Sequence, residues 1–173
     1  IRQIKEWSKT SKNYISIGQE IAITNLQLAL AYACIANGGI LVKPKLIKKI
    51  YKKNDEKYHH DTQIIRRVIS QNLSKSILKV LSEVVTNGTA KDINLIGYNI
   101  AGKTGTAQKF LQGEYSKYIS TFASIFPADY PQYVMIVSID EPIYGKHWSN
   151  LSAVPASREI IKRMLIIDKN LHK

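Results

Sequence analysis

The chain has 173 residues, 45% hydrophobic and 22% charged, which is enough for one domain with its own core. A single cysteine, Cys34, excludes an internal disulfide, and its apolar surroundings read as a buried structural thiol. No apolar stretch approaches the ~20 residues of a membrane span, and no signal peptide is visible. Lysine and arginine exceed the acids by 25 to 13, a net charge of +12. The basic residues are mostly lysines concentrated in residues 43–57, without a Gly-aromatic ribonucleoprotein signature, so they read as a solvated surface, not a nucleic-acid face. An anionic cell-envelope surface stays open as their partner. The chain opens on Ile1, which reads as a fragment, so that any upstream anchor lies outside it.

Thr24-Asn25-Leu26-Gln27 has the form of a capping box. It opens a helix over residues 26–36 that is apolar almost all round and is expected to be buried. Asn37-Gly38-Gly39 ends it with residues that tolerate positive φ. Residues 40–51 mix β-branched residues, lysines and Pro44, and read as an edge strand or hairpin; residues 54–61 read as a polar turn. A second helix is expected over residues 72–86, with Leu73, Ile77, Leu81 and Val84 as its apolar stripe and Asn87-Gly88 as its stop. Residues 96–109 read as a strand, with a turn near Gly113. Residues 119–126 and 133–139 are two more strands, separated by Pro127-Ala128-Asp129-Tyr130-Pro131. A last helix follows Pro155, with Ile160, Ile161, Met164 and Leu165 facing inward. Three successive strands with short connections imply an antiparallel sheet flanked by helices, an α+β arrangement.

The most informative stretch is Ala101-Gly102-Lys103-Thr104-Gly105-Thr106-Ala107-Gln108. A lysine ammonium, two hydroxyls and two glycines in one short run suit close capture of an anion. Two unrelated patterns fit. Gly97-Tyr98-Asn99-Ile100-Ala101-Gly102-Lys103-Thr104 satisfies the phosphate-loop form G-x-x-x-x-G-K-S/T, and the apolar run from Val134 to Asp140, followed by Glu141, has the form of a Walker B magnesium strand. A phosphate loop must run straight into a helix, whereas two glycines and several β-branched residues follow Lys103. Lys103-Thr104-Gly105 is also the lysine motif of serine-type penicillin-binding proteins and β-lactamases. On an edge strand, Gly105 lets a substrate backbone lie close and Lys103 supplies positive charge. Thr104 and Thr106 offer hydroxyls to a carboxylate, and an amide near Thr106 can donate to an oxyanion.

Around this motif, several blocks stand in one order. They are Ser16-Ile17-Gly18-Gln19, Ile23 to Ala29, Ala36-Asn37-Gly38-Gly39, Val84 to Ala90, Gly97 to Ala107, Phe126-Pro127-Ala128-Asp129, Ile139-Asp140-Glu141-Pro142 and Ala153-Val154-Pro155. Together they resemble the transpeptidase domain of class B penicillin-binding proteins, most closely the septal cell-division type. The resemblance implies an α+β fold and places residues 1–173 as the C-terminal part of one transpeptidase domain. It implies a peptidoglycan D,D-transpeptidase working through a serine acyl-enzyme. Lys103 would be the catalytic lysine of the motif, and Lys103, Thr104, Gly105 and Thr106 would bind the substrate. No metal or organic cofactor is implied. The implied partners are peptidoglycan stem peptides, β-lactams and cell-division or glycan-polymerase proteins, with no nucleic acid. The implied location is the periplasmic side of the inner membrane, reached through an N-terminal anchor outside this chain.

The family order is S-x-x-K, then S-x-N, then the lysine motif. Ser76-Ile77-Leu78-Lys79 and Ser11-Lys12-Asn13 stand in the reverse order, and Ser76, Lys79 and Glu83 fall on the polar side of a helix. Both are therefore rejected, the nucleophile is expected upstream of Ile1, and this chain alone is expected to be inert. Asn25 replaces a proline usual in the family, and Trp148-Ser149-Asn150 stands where Tyr-Gly-Gly is common. Trp148 and Tyr115 are expected to pack in a core or hinge in preference to bordering a groove, and His59, His60, His147 and His172 receive no role. A phosphate-loop NTPase and a non-catalytic remnant of a split gene are the alternatives.

Overall fold

Alternation along residues 120–126 sets the architecture. Phe122, Ser124 and Phe126 point to one face of a strand and Ala123 and Ile125 to the other, and all five are buried. A strand buried on both faces needs a layer on each side. The computed structural model describes residues 3–47, 50–52, 55–57, 61–111, 114–143 and 145–168 and shows both layers.

The helices are α1 (Ser11–Ser16), α2 (Asn25–Ala36), α3 (Gln71–Thr86) and α4 (Ala153–Ile167). The strands are β1 (Ile40–Val42), β2 (Ile50–Lys52), β3 (Asp55–Lys57), β4 (Ile64–Arg67), β5 (Ala101–Leu111), β6 (Glu114–Phe126) and β7 (Tyr133–Asp140). The central sheet runs β5-β6-β7, antiparallel throughout, with Thr104 opposite Phe122 and Phe122 opposite Val137. On one face Phe122, Phe126 and Ile100 meet Val154, Ile161 and Leu165 of α4. On the other, Ala101 and Ile125 meet Leu81 of α3 and Tyr32 and Ile35 of α2. Burying a phenylalanine such as Phe122 contributes on the order of 1.5–3 kcal/mol. The fold is α+β, with the expected antiparallel sheet between helices.

The capping box at the start of α2 forms as read: Gln27 N–H donates to the Thr24 hydroxyl at 3.2 Å, and Thr24 N–H to Gln27 Oε1 at 2.9 Å. Asn25, the first residue of the helix, accepts a hydrogen bond from the Ser138 hydroxyl of β7 at 2.9 Å. It thus ties the first turn of the helix to the sheet. Past the helix end, Gly39 has φ +99°, and a Cβ there would lie 2.1 Å from the Ile69 carbonyl oxygen. Glycine is therefore required where the chain enters β1 against the segment that follows β4. Ser74 of α3 donates to the Ile35 carbonyl at 2.5 Å and joins the two helices. Cys34 is buried, as expected.

Several sequence expectations are corrected. Helix α2 is not buried all round: of its residues only Cys34 is fully covered and Leu26 is 43% exposed, because no further layer among the described residues lies over its outer side. On α3 the expected stripe holds at Ile77, Leu81 and Val84, which lie in or against the core, but Leu73 is about half exposed and Ser74 is buried in its place, with Val85 buried beside Val84. The Ser74–Ile35 bond rotates the helix start away from the expected face. Helix α4 starts at Ala153, two residues before Pro155, which sits in its first turn where no N–H is needed, and Ile160 faces solvent. Strand β5 begins at Ala101 and not at residue 96, because Gly97, with positive φ, and the Leu95–Tyr98 bridge form a turn first.

Asp55–Lys57, read as part of a polar turn, form β3, which pairs with β2, and residues 54 and 58–60 lie outside the described residues. Strand β1 pairs with β4, an exposed strand that the sequence reading did not foresee. The turn near Gly113 and residues His59, His60 and His172 lie outside the described residues.

Candidate active site

Strand β5 is one edge of the central sheet, with β6 on its inner side and no described strand on its outer side. It carries Lys103-Thr104-Gly105-Thr106. Alternation puts Lys103 and Gly105 toward the face covered by α2 and α3, and Thr104 and Thr106 toward the α4 face. The four residues therefore flank an open edge from both sides. Lys103 is exposed, and its ammonium curls back to donate to the Thr104 carbonyl at 2.9 Å.

Each threonine hydroxyl is held from outside the strand. Thr104 Oγ1 lies 2.8 Å from the hydroxyl of Thr89, in the turn that follows α3. Thr106 Oγ1 accepts from the Ser149 N–H at 3.3 Å and lies 3.0 Å from the Ser149 hydroxyl. Ser149 opens a short 3-10 turn, Ser149–Leu151, that leads into α4, and its hydroxyl also donates to the Gly105 carbonyl. Ser120 of β6 donates to the His147 carbonyl and fastens the same loop. The His147 ring stacks on Tyr118 at 4.1 Å and meets Trp148 at 5.0 Å. Trp148 is 56% exposed, so the expectation of core packing is corrected. It packs on His147 at the surface because the loop is tied down on its other side. The Tyr115 side chain lies outside the described residues.

Gly102 and Gly105 differ in what they allow. A Cβ on Gly102 would stand 2.5 Å from the Phe122 ring, so that glycine serves the core. A Cβ on Gly105 would meet nothing closer than 3.9 Å, so the fold itself has no need of glycine there.

The geometry overturns the phosphate-loop reading. After Lys103 the chain continues as a strand to Leu111, where a phosphate loop would begin a helix, and the sheet is antiparallel where that fold needs parallel strands. The carboxylates of Asp140 and Glu141 are occupied at the far end of the sheet. Lys109 Nζ lies 3.0 Å from Asp140 and 2.8 Å from Glu141, and Lys117 Nζ lies 2.5 Å from Glu141. Hydrogen bonds from Lys109 and then Lys117 hold the Glu141 carboxyl below its ordinary value, and those to Glu141 and Asp140 hold Lys109 above its own. Ser76 and Lys79 are both exposed on α3, with the Ser76 hydroxyl donating to the Asn72 carbonyl at 3.1 Å. That is a solvated face. Ser11 is fully buried and donates to Glu20 at 2.8 Å, so neither look-alike motif opens onto the β5 edge as a site.

Thr89 and Ser149 are the residues that sequence reasoning missed. Thr89 acts on Thr104 from 15 positions away, and Ser149 acts on Thr106 from 43 positions away with β6 and β7 between them, so spacing in the sequence does not single out either.

Residues 2–162 match the penicillin binding protein transpeptidase domain. The chain is 38% identical to a peptidoglycan D,D-transpeptidase FtsI homolog of Mesostigma viride, covering 89% of this chain and 28% of that protein. It is 34% identical to penicillin-binding protein PbpB of Mycolicibacterium smegmatis, covering 94% of this chain and 27% of that protein. Among solved structures, penicillin-binding protein 3 of Mycobacterium tuberculosis superposes with a TM-score of 0.82 at 30% identity, over 95% of this chain and 40% of that one. The transpeptidase domain of penicillin-binding protein 3 from Burkholderia pseudomallei gives 0.79 at 27% identity, over 98% and 50%. The chain thus spans between about a quarter and a half of the proteins it resembles.

Proposed function

This chain belongs to the penicillin-binding protein transpeptidase family, and on that premise we propose that it works in peptidoglycan D,D-transpeptidation as the carboxylate-binding wall of the site. The observation that carries the reading is the open edge of β5, where Lys103, Thr104 and Thr106 flank a glycine that the fold does not need. The chain supplies the C-terminal part of one transpeptidase domain, and the serine nucleophile, its lysine base and the S-x-N element precede it. A relative of known structure is complexed with ampicillin, which supports β-lactams as ligands of the same wall.

In the reaction, the serine oxygen attacks the carbonyl of the penultimate D-Ala, the C–N bond breaks, and terminal D-Ala leaves with a proton on its amine. An amine of a neighbouring stem then attacks the acyl-enzyme and releases the serine. Lys103 attracts the terminal carboxylate, and the threonine hydroxyls orient it. A donor N–H near Thr106 stabilises the developing oxyanion. Gly105 lets the peptide lie against the strand. Septal cell-wall synthesis fits the FtsI name of the relatives, with the periplasmic face of the inner membrane as the place of action and a glycan polymerase as the partner.

The test is labelling by fluorescent penicillin. The intact protein is labelled, Lys103→Ala lowers its acylation rate about a hundredfold or more, and the 173-residue chain alone is not labelled. Labelling of the isolated chain, or a Lys103→Ala protein that reacts at the parental rate, overturns the proposal.

A further inference from the structure

Ser149, in the short turn that leads into α4, is only 2% exposed. Its hydroxyl has one proton, which goes to the Gly105 carbonyl. The 3.0 Å contact between the Ser149 and Thr106 hydroxyls must then be donated by Thr106. The Ser149 N–H occupies a lone pair of the same Thr106 oxygen. Thr106 is left with an oxygen held in place and a proton already spent inside the protein.

A carboxylate accepts hydrogen bonds and donates none, so it needs that proton. We propose that Ser149 is a positioning residue that latches the Thr106 hydroxyl inward, so that an incoming carboxylate must break the Thr106–Ser149 bond before Thr106 can serve it. This rests on the transpeptidase reading above and adds a control on substrate capture that a glycine would not provide. The latch is rigidly mounted: the Ser120–His147 bond and the Ser152 hydroxyl on the Trp148 carbonyl, at 2.9 Å, fix the backbone on both sides of it.

Truncation at residue 149 removes the acceptor of the Thr106 proton and keeps the N–H that holds the Thr106 oxygen. With the intact protein and fluorescent penicillin, Ser149→Ala is expected to lower the half-saturating concentration for acylation about threefold to tenfold, the worth of one hydroxyl hydrogen bond. The acylation rate at saturation stays unchanged. Ser149→Gly gives the same gain and stands in if the alanine variant folds poorly. In a Thr106→Val background, either change has no effect. An unchanged or raised half-saturating concentration in both folded variants, a changed saturating rate, or the same gain without the Thr106 hydroxyl overturns the latch alone. A parental protein that penicillin does not acylate overturns the latch together with the transpeptidase reading.

Discussion

Two alanine substitutions three residues apart separate what β5 does for the fold from what it does for the site. Neither Gly102 nor Gly105 has a positive φ, so alanine is free of backbone strain at both. At Gly102 the new methyl would lie 2.5 Å from Phe122 Cζ and 2.8 Å from the Ala123 carbonyl oxygen, against 3.4 Å or more for ordinary contact. The ring must retreat by about 1 Å, yet Phe122 is fully buried and packed against α4, and the carbonyl belongs to the neighbouring strand. Overpacking of this kind costs about 3 kcal/mol. For a domain of this size that lowers Tm by about 6–12 °C. At Gly105 the nearest atom is 3.9 Å away, so the fold accepts the methyl at a change of under about 0.5 kcal/mol, or gains slightly from a stiffer unfolded chain. The methyl instead occupies the approach to the strand. A displacement of about 1 Å in a bound substrate is expected to cost about a hundredfold in acylation. Thermal unfolding followed by circular dichroism, beside fluorescent-penicillin labelling of the intact protein, reads both quantities. If Gly105→Ala melts as early as Gly102→Ala, or is acylated at the parental rate, the two glycines do not divide fold and site between them.

Two further outcomes follow from contacts away from the site. Glu141→Gln removes the acceptor shared by Lys109 and Lys117. Because the folded Glu141 carboxyl is held low, its stabilisation is present above the ordinary value of about 4.3 and lost as pH falls through the lowered one. Lys109 is held high, so its share is present below about 10.4 and lost as pH rises through the raised value. The Tm gap between parent and variant should therefore be widest from about pH 5 to 10 and close in acid; a gap that persists at pH 2 would contradict the ion-pair account. Asn25→Ala should cost about 0.5–1 kcal/mol in urea unfolding through loss of the Ser138 bond. Asn25→Pro should be close to neutral, since proline fits the first helical position, and a loss beyond about 2 kcal/mol would refute that balance.

What the sequence disclosed was mostly local. The Thr24–Gln27 box closes within three residues, and the alternation of Phe122 to Phe126 is a property of the strand itself, so both were legible. The helix faces were not fully legible. Whether Leu73 or Ser74 turns inward depends on a carbonyl of α2 39 positions away. The start of β5 was obscured because Tyr98 and Ile100 suit a strand, while Gly97 and the Leu95–Tyr98 bridge bend the chain first. The motif residues Lys103 to Thr106 stood out by their chemistry and order. Their holders, Thr89 and Ser149, are ordinary hydroxyl residues whose meaning depends on what lies opposite them in the folded chain.

The open edge of β5 has one more consequence, for solubility. An unpaired strand edge is a template for any other strand, including the same edge of a second molecule. Lys103 stands exposed near its start. Two such edges pairing around Lys103 would bring their ammonium groups together, and that repulsion works against sheet-to-sheet association in that register. The side chain proposed to draw in an anionic peptide would thus also turn away the protein's own copies. Any replacement of Lys103 is judged twice, once by the substrate and once by the crowd of identical molecules around it.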